Sequence, residues 1–200
     1  QVMVRHSNTP VTVKIRSGWD IDSVNAREIA LHAEDAGIRA LFIHGRTKTQ
    51  GYSGTVDYGS IRMVKDALRI PVIASGDNIN VSQVKKMFDI TGCDGVTIAR
   101  GSFGNPWIFS NLIQFFKDGS IGDMPCVNVR VEVMKHHLDL LVQHYGEQRA
   151  LSIFHKFFIW YTKGIRKTRA LRDKAFRIER MEDAMALIEE FQGLDMNKKP

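Results

Sequence analysis

The amino-acid sequence predicts an α/β fold with a parallel sheet, followed by a small all-helical domain. Three observations carry this. Four short apolar runs begin near positions 11, 40, 72 and 95, and a stretch with helical spacing follows each. The runs are near-continuously apolar, the pattern of a parallel sheet buried on both faces. Beyond about Cys126 strand patterning ends and only helical periodicity remains. At 200 residues and 44% hydrophobic content, such a chain can bury about 70% of its unfolded surface.

The elements follow in order. Pro10–Arg16 is a β-branched first strand, ended by Ser17-Gly18. Asp22 or Ser23 can cap a helix with Ile29, Ala33 and Ala36 on its apolar side, and Gly37 stops it. Ala40–His44 is the second strand, and the polar loop from Gly45 to Asp57 is long enough to carry function. Ile61, Val64 and Leu68 mark a helix; Pro71–Ser75 is the third strand, with Gly76-Asp77-Asn78 as its exit turn. Val81, Val84, Met87 and Phe88 mark the next helix, closed at Gly92, and Val96, Thr97 and Ile98 form the fourth strand. Pro106 to Gly119 reads as a helix with Ile108, Leu112 and Phe115 on one side, and 118–125 as a linker. Val131, Met134, Leu138, Leu141 and Tyr145 then keep helical spacing, as do Leu151, Phe154, Phe158 and Tyr161, and finally Met181, Met185 and Ile188, before a frayed Asn197–Pro200 tail.

Composition excludes several classes. No run of about 18 apolar residues exists, so no membrane span is expected. The N-terminus shows no charged-then-apolar signal. Cys93 and Cys126 are the only cysteines and form no CxxC, so neither a disulfide framework nor a zinc knuckle is implied, and a reducing cytoplasm is the simpler setting. His136, His137, His144 and His155 lie in helical stretches without partners at ligand spacing, so no metal site is expected. The net charge is +6, and positions 149–180 hold ten Lys/Arg against only Asp173 and Glu179. That density points to a polyanion, nucleic acid first.

Polar side chains gather where the strands end: Lys14 and Arg16, His44 and Arg46, Ser75 and Asp77, and Arg100. In α/β sheets that edge is where ligands bind. Lys14 within an apolar strand is hard to explain as packing, because lysine is seldom buried unpaired. The stretch Gly95–Trp107 joins a short strand to a glycine-bearing turn and a helix start, a place that suits a phosphate with Arg100 beside it.

Val11-Thr-Val-Lys14-Ile-Arg16-Ser-Gly-Trp19, Ile43-His44-Gly-Arg46-Thr, Pro71-Val-Ile-Ala-Ser-Gly-Asp77 and Ala99-Arg100-Gly-Ser-Phe-Gly-Asn-Pro-Trp107 resemble, in order and spacing, the bacterial tRNA-dihydrouridine synthases of the B-type branch; His155-Lys156 and Trp160-Tyr161 are similar to their helical domain. The resemblance implies an FMN-dependent oxidoreductase built on a (β/α)8 TIM barrel, of which residues 1–120 supply the last four βα units and residues 127–197 a helical tRNA-binding domain. It implies reduction of the uridine C5=C6 bond with NADPH as hydride source. It implies cofactor contacts from Lys14, His44, Ser75, Gly76, Asp77, Ala99 and Arg100, with Lys14 favouring the anionic reduced ring. Arg16, Arg46, Lys156, Lys163, Arg166, Lys167 and Arg169 are candidates for the uridine or RNA phosphates. A cytoplasmic enzyme, monomeric at full length, without metal or membrane, completes that expectation.

Three departures from the family pattern stand out. Ser75 replaces the usual Asn, Ala99 replaces the usual Gly, and only four of eight barrel strands are present. The family's proton-donating cysteine lies on a loop of the earlier half, and neither Cys93 nor Cys126 matches it. The reading is therefore the C-terminal portion of a synthase, with no catalytic acid in this chain and the donor expected upstream. The alternatives are an FMN barrel acting on a free small molecule, or a non-catalytic RNA-binding module.

Overall fold

The computed structural model describes the backbone of residues 1–196 and the side chains through Leu194; the Asn197–Pro200 tail lies outside the described residues. The chain divides into two compact units, residues 1–101 and residues from 102 on, so the boundary expected between 120 and 127 falls inside the second.

The first unit runs α1 (Val2–His6), β1 (Thr12–Arg16), α2 (Ala26–Asp35), β2 (Ala40–His44), α3 (Tyr58–Ala67), β3 (Val72–Ser75), α4 (Val81–Thr91) and β4 (Gly95–Val96). The strands lie in sequence order and all pair in parallel. β4 is shorter than its apolar run suggests: regular pairing stops at Val96, and Thr97 adds one bond to the Ala74 carbonyl at 2.9 Å. Asp57 caps α3 through the Ser60 N–H at 3.0 Å, Asn80 caps α4 through the Gln83 N–H at 2.9 Å, and Gly92 closes α4 in the left-handed region.

Two expectations need correction. Asp22 and Ser23 do not cap α2. They lie in a 3-10 turn capped by Asp20, and α2 begins at Ala26. The face turned to the core also differs from the expected one: Ala26 and Ala30 are buried and Ile29 is exposed. The sheet, moreover, is not buried on both faces. Leu41, Ile43, Val72 and Ala74 pack with Ala26, Ala30, Ile61, Val64 and Met87 in one core. Side chains alternate along a strand, so Thr12, Lys14, Phe42 and Ile73 fall on the opposite face. There Thr12 and Lys14 are exposed and Phe42 and Ile73 half-buried. Among the described residues of this unit, no second helical layer closes that face.

The second unit contains α5 (Ile108–Asp118), α6 (Val127–Tyr145), α7 (Glu147–Tyr161), α8 (Arg169–Ala175) and α9 (Met181–Met196). α6 packs on α7 and α9, and α8 touches both α7 and α9. The shared core holds Val131, Met134, Leu138, Phe154, Phe158, Ile188 and Phe191. Tyr145, placed on the apolar stripe by spacing, is 46% exposed at the last turn of α6. Gly146 alone joins α6 to α7 with φ 77°, a joint that suits only glycine. α8 has no counterpart in the spacing analysis: seven residues with Leu171 and Ala175 buried carry too little periodicity to register against ten neighbouring charges.

Candidate functional site

Strand register places the site. Arg16 pairs with His44, and His44 with Ser75, so three polar residues stand side by side in the last row of the sheet. One row earlier on the same face stand Lys14, Phe42 and Ile73. The Gly45–Asp57 loop folds back over the strand ends: Gly45 donates to the Ser75 carbonyl at 3.2 Å, and Asp57 donates to the Gly45 carbonyl at 2.7 Å.

Two arginines brace this loop from within. Arg16 Nη1 donates to the carbonyls of Thr47 (2.8 Å) and Gly51 (3.0 Å). Arg46 is 1% exposed; its Nε donates to the Ser53 carbonyl at 3.0 Å and its Nη2 to the Gly54 carbonyl at 2.7 Å. The same guanidinium grips both carboxylate oxygens of Asp77, Nη1 to Oδ1 at 3.1 Å and Nη2 to Oδ2 at 2.5 Å. This fork-on-fork geometry suits arginine and not lysine. Asp77 also accepts from Arg100 Nη2 at 2.9 Å, and the Arg100 guanidinium lies 4.6 Å from the centre of the Tyr52 ring. Asp77 thus stands between two cations. The Arg46 hydrogen bonds hold its carboxyl below the usual carboxylate range, against the opposing effect of burial.

The turn carrying Asp77 demands its residues. Gly76 has φ 133°, and a Cβ there would stand 2.7 Å from Val56 Cγ2. Asp77 follows with φ 50°, a left-handed conformation that aspartate tolerates better than most residues.

His44 is 7% exposed, and its Nε2 has no hydrogen-bond partner. Burial, then the charges of Arg16, Arg46 and Lys14, lower its pKa to about 4, with Asp77 opposing. The ring is neutral at pH 7. It borders a cavity of about 40 Å³ shared with Tyr52, Ser75, Gly76, Asp77, Asn78, Ala99 and Arg100. That volume takes water rather than a ring system.

The structure therefore brings six of the seven expected cofactor residues, His44, Ser75, Gly76, Asp77, Ala99 and Arg100, to one cavity. Lys14 stands outside its lining, exposed on the same sheet face and within electrostatic reach of His44. Arg16 and Arg46, expected at uridine or RNA, have the loop carbonyls and Asp77 as their partners here. Lys156, Lys163, Arg166, Lys167 and Arg169 lie in the second unit, all exposed and without an ion pair among the described residues. Sequence reasoning missed Tyr52 and Asn78. The Asn78 Nδ2 donates to the Thr97 carbonyl at 3.0 Å and ties the β3 exit to the β4 exit. A turn asparagine carries no sequence signal for such a reach. Cys93 is buried in the core with its thiol pKa raised chiefly by burial, and Cys126 is exposed.

Comparison with known proteins agrees with this arrangement of motifs. The dihydrouridine synthase (Dus) family matches residues 1–195. The tRNA-dihydrouridine synthase B of Pasteurella multocida is 37% identical over 197 residues, covering 98% of this chain and 59% of that protein. The protein of the same name from Xanthomonas campestris is 37% identical over 189 residues, 94% of this chain and 57% of that one. A probable tRNA-dihydrouridine synthase of Synechocystis is 37% identical over 190 residues, 95% and 53% respectively. The chain thus spans between half and six tenths of the length of these relatives. A solved mandelate oxidase mutant superimposes at a TM-score of 0.40 with 12% identity, covering 76% of this chain and 63% of that one, which is too distant to support an argument. Matched from its first residue to residue 195, the chain belongs to the dihydrouridine synthase family and resembles its B-type members.

Proposed function

We propose that this chain is the later part of an FMN-dependent tRNA-dihydrouridine synthase. In this reading the four-stranded sheet is the last half of a (β/α)8 barrel, and residues 127–197 grip tRNA. The observation that carries the reading is the convergence of His44, Asp77 and Arg100 at the strand exits, beside an uncovered sheet face bearing Lys14, in a chain of this family.

The residues fit such a cofactor. His44 has a buried nitrogen lacking a partner, Arg100 offers a partly exposed cation, and Lys14 projects from an uncovered face. The cavity at His44 is too small to enclose a flavin, so the uncovered sheet face beside it would have to take part in holding the ring. The chemistry that bound FMN supplies is hydride transfer to the uridine C5=C6 bond, replenished from NADPH. Lys14 places positive charge where the reduced ring is negative. His44, neutral at pH 7, offers Nε2 as a hydrogen-bond partner and holds no proton ready to give. Arg100, positioned by Asp77 and Tyr52, would hold the phosphate, and Arg46 in turn positions Asp77. Ser75 and Gly76, which line the cavity, would border the cofactor there. Neither cysteine borders this cavity, so the proton given to the uridine comes from a group outside this set.

The exposed, unpaired basic residues of the second unit favour RNA over a free small molecule, which needs no such surface. Lys174 and Arg180, by contrast, pair with Glu190 and Asp183. The test is FMN retention and dihydrouridine formation in unmodified tRNA with NADPH, scored by mass spectrometry, with the chain carried to its relatives' full length. Lys14→Met is expected to abolish most dihydrouridine formation while leaving the fold intact. A full-length protein that binds no flavin would sink the proposal.

A further inference from the structure

A cavity of the second unit lies away from every residue assigned above except Arg166 and Lys167. It measures about 700 Å³, and its lining includes the apolar Val127, Ile165 and Leu194 together with Arg130, Arg166 and Lys167. Arg166 and Lys167 stand exposed at its rim. Arg130 is 7% exposed, and the partners of its guanidinium are two carbonyls, Pro125 at 3.1 Å from Nε and Tyr161 at 2.9 Å from Nη1. Among the described residues no carboxylate pairs with it.

A buried cation without a counter-ion is a costly arrangement. Carbonyl dipoles orient Arg130 but leave its charge uncompensated. Burial lowers its pKa from the ordinary arginine value, and no acidic group among the described residues offsets that effect. Two more cations line the same hollow, with no acid among its described lining residues. An anion is the missing component. The cavity is many times larger than a phosphate needs and falls in the range of small-ligand sites. Its apolar lining residues ask for a flat or greasy moiety alongside the charge.

We infer that this cavity receives one unstacked nucleotide of the RNA, with its phosphate on Arg130 and the rim cations and its base against Val127, Ile165 and Leu194. The inference rests on the tRNA reading above and adds a specific anchor to it. Single-stranded RNA is commonly held this way, with a splayed base packed on a protein surface and its phosphate clamped. The neighbouring start of α6 at Val127 has no side-chain cap and adds its positive dipole end to the same side.

The test uses the whole chain and two probes. In the first arm, uridine 5′-monophosphate, uridine and inorganic phosphate are titrated against the labelled protein, with the amides of Ile165 and Lys167 followed by NMR. Saturable shifts with the monophosphate, and at least about ten-fold weaker ones with uridine or phosphate alone, are expected. In the second arm, tRNA binding is measured against salt for wild type, Arg130→Met and the rim pair Arg166→Ala/Lys167→Ala. Arg130→Met is expected to weaken binding about ten-fold and to make the salt slope shallower by about one. The rim pair guards against a variant that fails to fold, and its slope is expected to fall by about two. Equal response to all three small probes overturns the nucleotide assignment. Unchanged tRNA affinity and slope in a folded Arg130→Met or in the rim pair overturns the site. Monophosphate saturation in a protein that ignores tRNA keeps the site and overturns the tRNA reading instead.

Discussion

Arg46 in the first unit and Arg130 in the second are both buried arginines, and they are buried on different terms. Arg46 holds a carboxylate with both arms of its fork and two loop carbonyls with the rest. Arg130 holds two carbonyls and, among the described residues, no acid. The first arrangement is complete inside the chain and rivets the 45–57 loop to the turn at Asp77. The second leaves a charge that something outside the chain can answer. Burial of a cation is therefore not in itself a sign of function; what separates the two is whether a counter-charge accompanies it.

The largest effect expected from this contrast is on Arg46→Met. Removing Arg46 leaves the Asp77 carboxylate with Arg100 alone and breaks two loop contacts, and the loss is about 3 kcal/mol by urea denaturation. Arg46→Lys is expected to recover little of it, because an ammonium cannot make the fork. A loss below about 1 kcal/mol would dissolve the distinction between the two arginines. Next comes Gly101→Ala, which tests the same cluster without touching a charge. A Cβ at Gly101 would lie 2.3 Å from the Asn78 carbonyl oxygen and 2.8 Å from Ile79 Cα, both backbone atoms. Destabilisation of about 2 kcal/mol is expected, with the Arg100 side chain displaced from Tyr52 in the NMR spectrum; a neutral outcome means the turn gives way freely.

Acid titration supplies a third, smaller effect. His44 has a pKa of about 4 in the fold against about 6.5 when unfolded. As pH falls below the unfolded value, the unfolded chain takes up the proton first, so stability declines from about pH 6.5 down to about 4 and the group adds no further slope below that. His44→Gln is expected to flatten that part of the profile. The ring should titrate near 4 by NMR, and a midpoint near 6.5 contradicts the burial and the surrounding cations. Asp77 works in the next window: its folded pKa is depressed, so its contribution is present above the ordinary carboxylate value and is lost as pH falls through the folded one. The smallest change is that of Arg130→Met on stability, within about 1 kcal/mol of zero. Relief of a buried, uncompensated charge there offsets the two lost hydrogen bonds. Urea denaturation showing a loss as large as that of Arg46→Met would merge the two cases.

Much of the first unit was legible in the residues. Ala40–His44 matches β2 at both ends, and α3 and α4 bury the apolar positions their spacing assigns, Ile61, Val64, Val84 and Met87. Local signals suffice there because capping side chains and apolar period agree. They failed at α2, where Asp22 and Ser23 are taken up in a 3-10 turn capped by Asp20 and Asn25 stands at the helix start without a side-chain cap bond. The motif residues at the strand exits were likewise visible, but their partners were not. Arg46 and Asp77 are 31 positions apart, as are Arg130 and Tyr161, and no periodicity links such pairs. Arg130 left one trace: it sits three residues after Val127 and four before Met134, on the apolar stripe of α6 where an arginine does not belong.

The sequence by itself determined the order of strands and helices, the glycine and aspartate of the β3 exit, and the family, because each depends on residues adjacent in the chain or at fixed spacing. Only the tertiary structure decided which arginines are occupied by their own chain and which sheet face stays uncovered. Those outcomes depend on distances between segments remote in sequence, and the free energy of a charge is set by what surrounds it rather than by what precedes it.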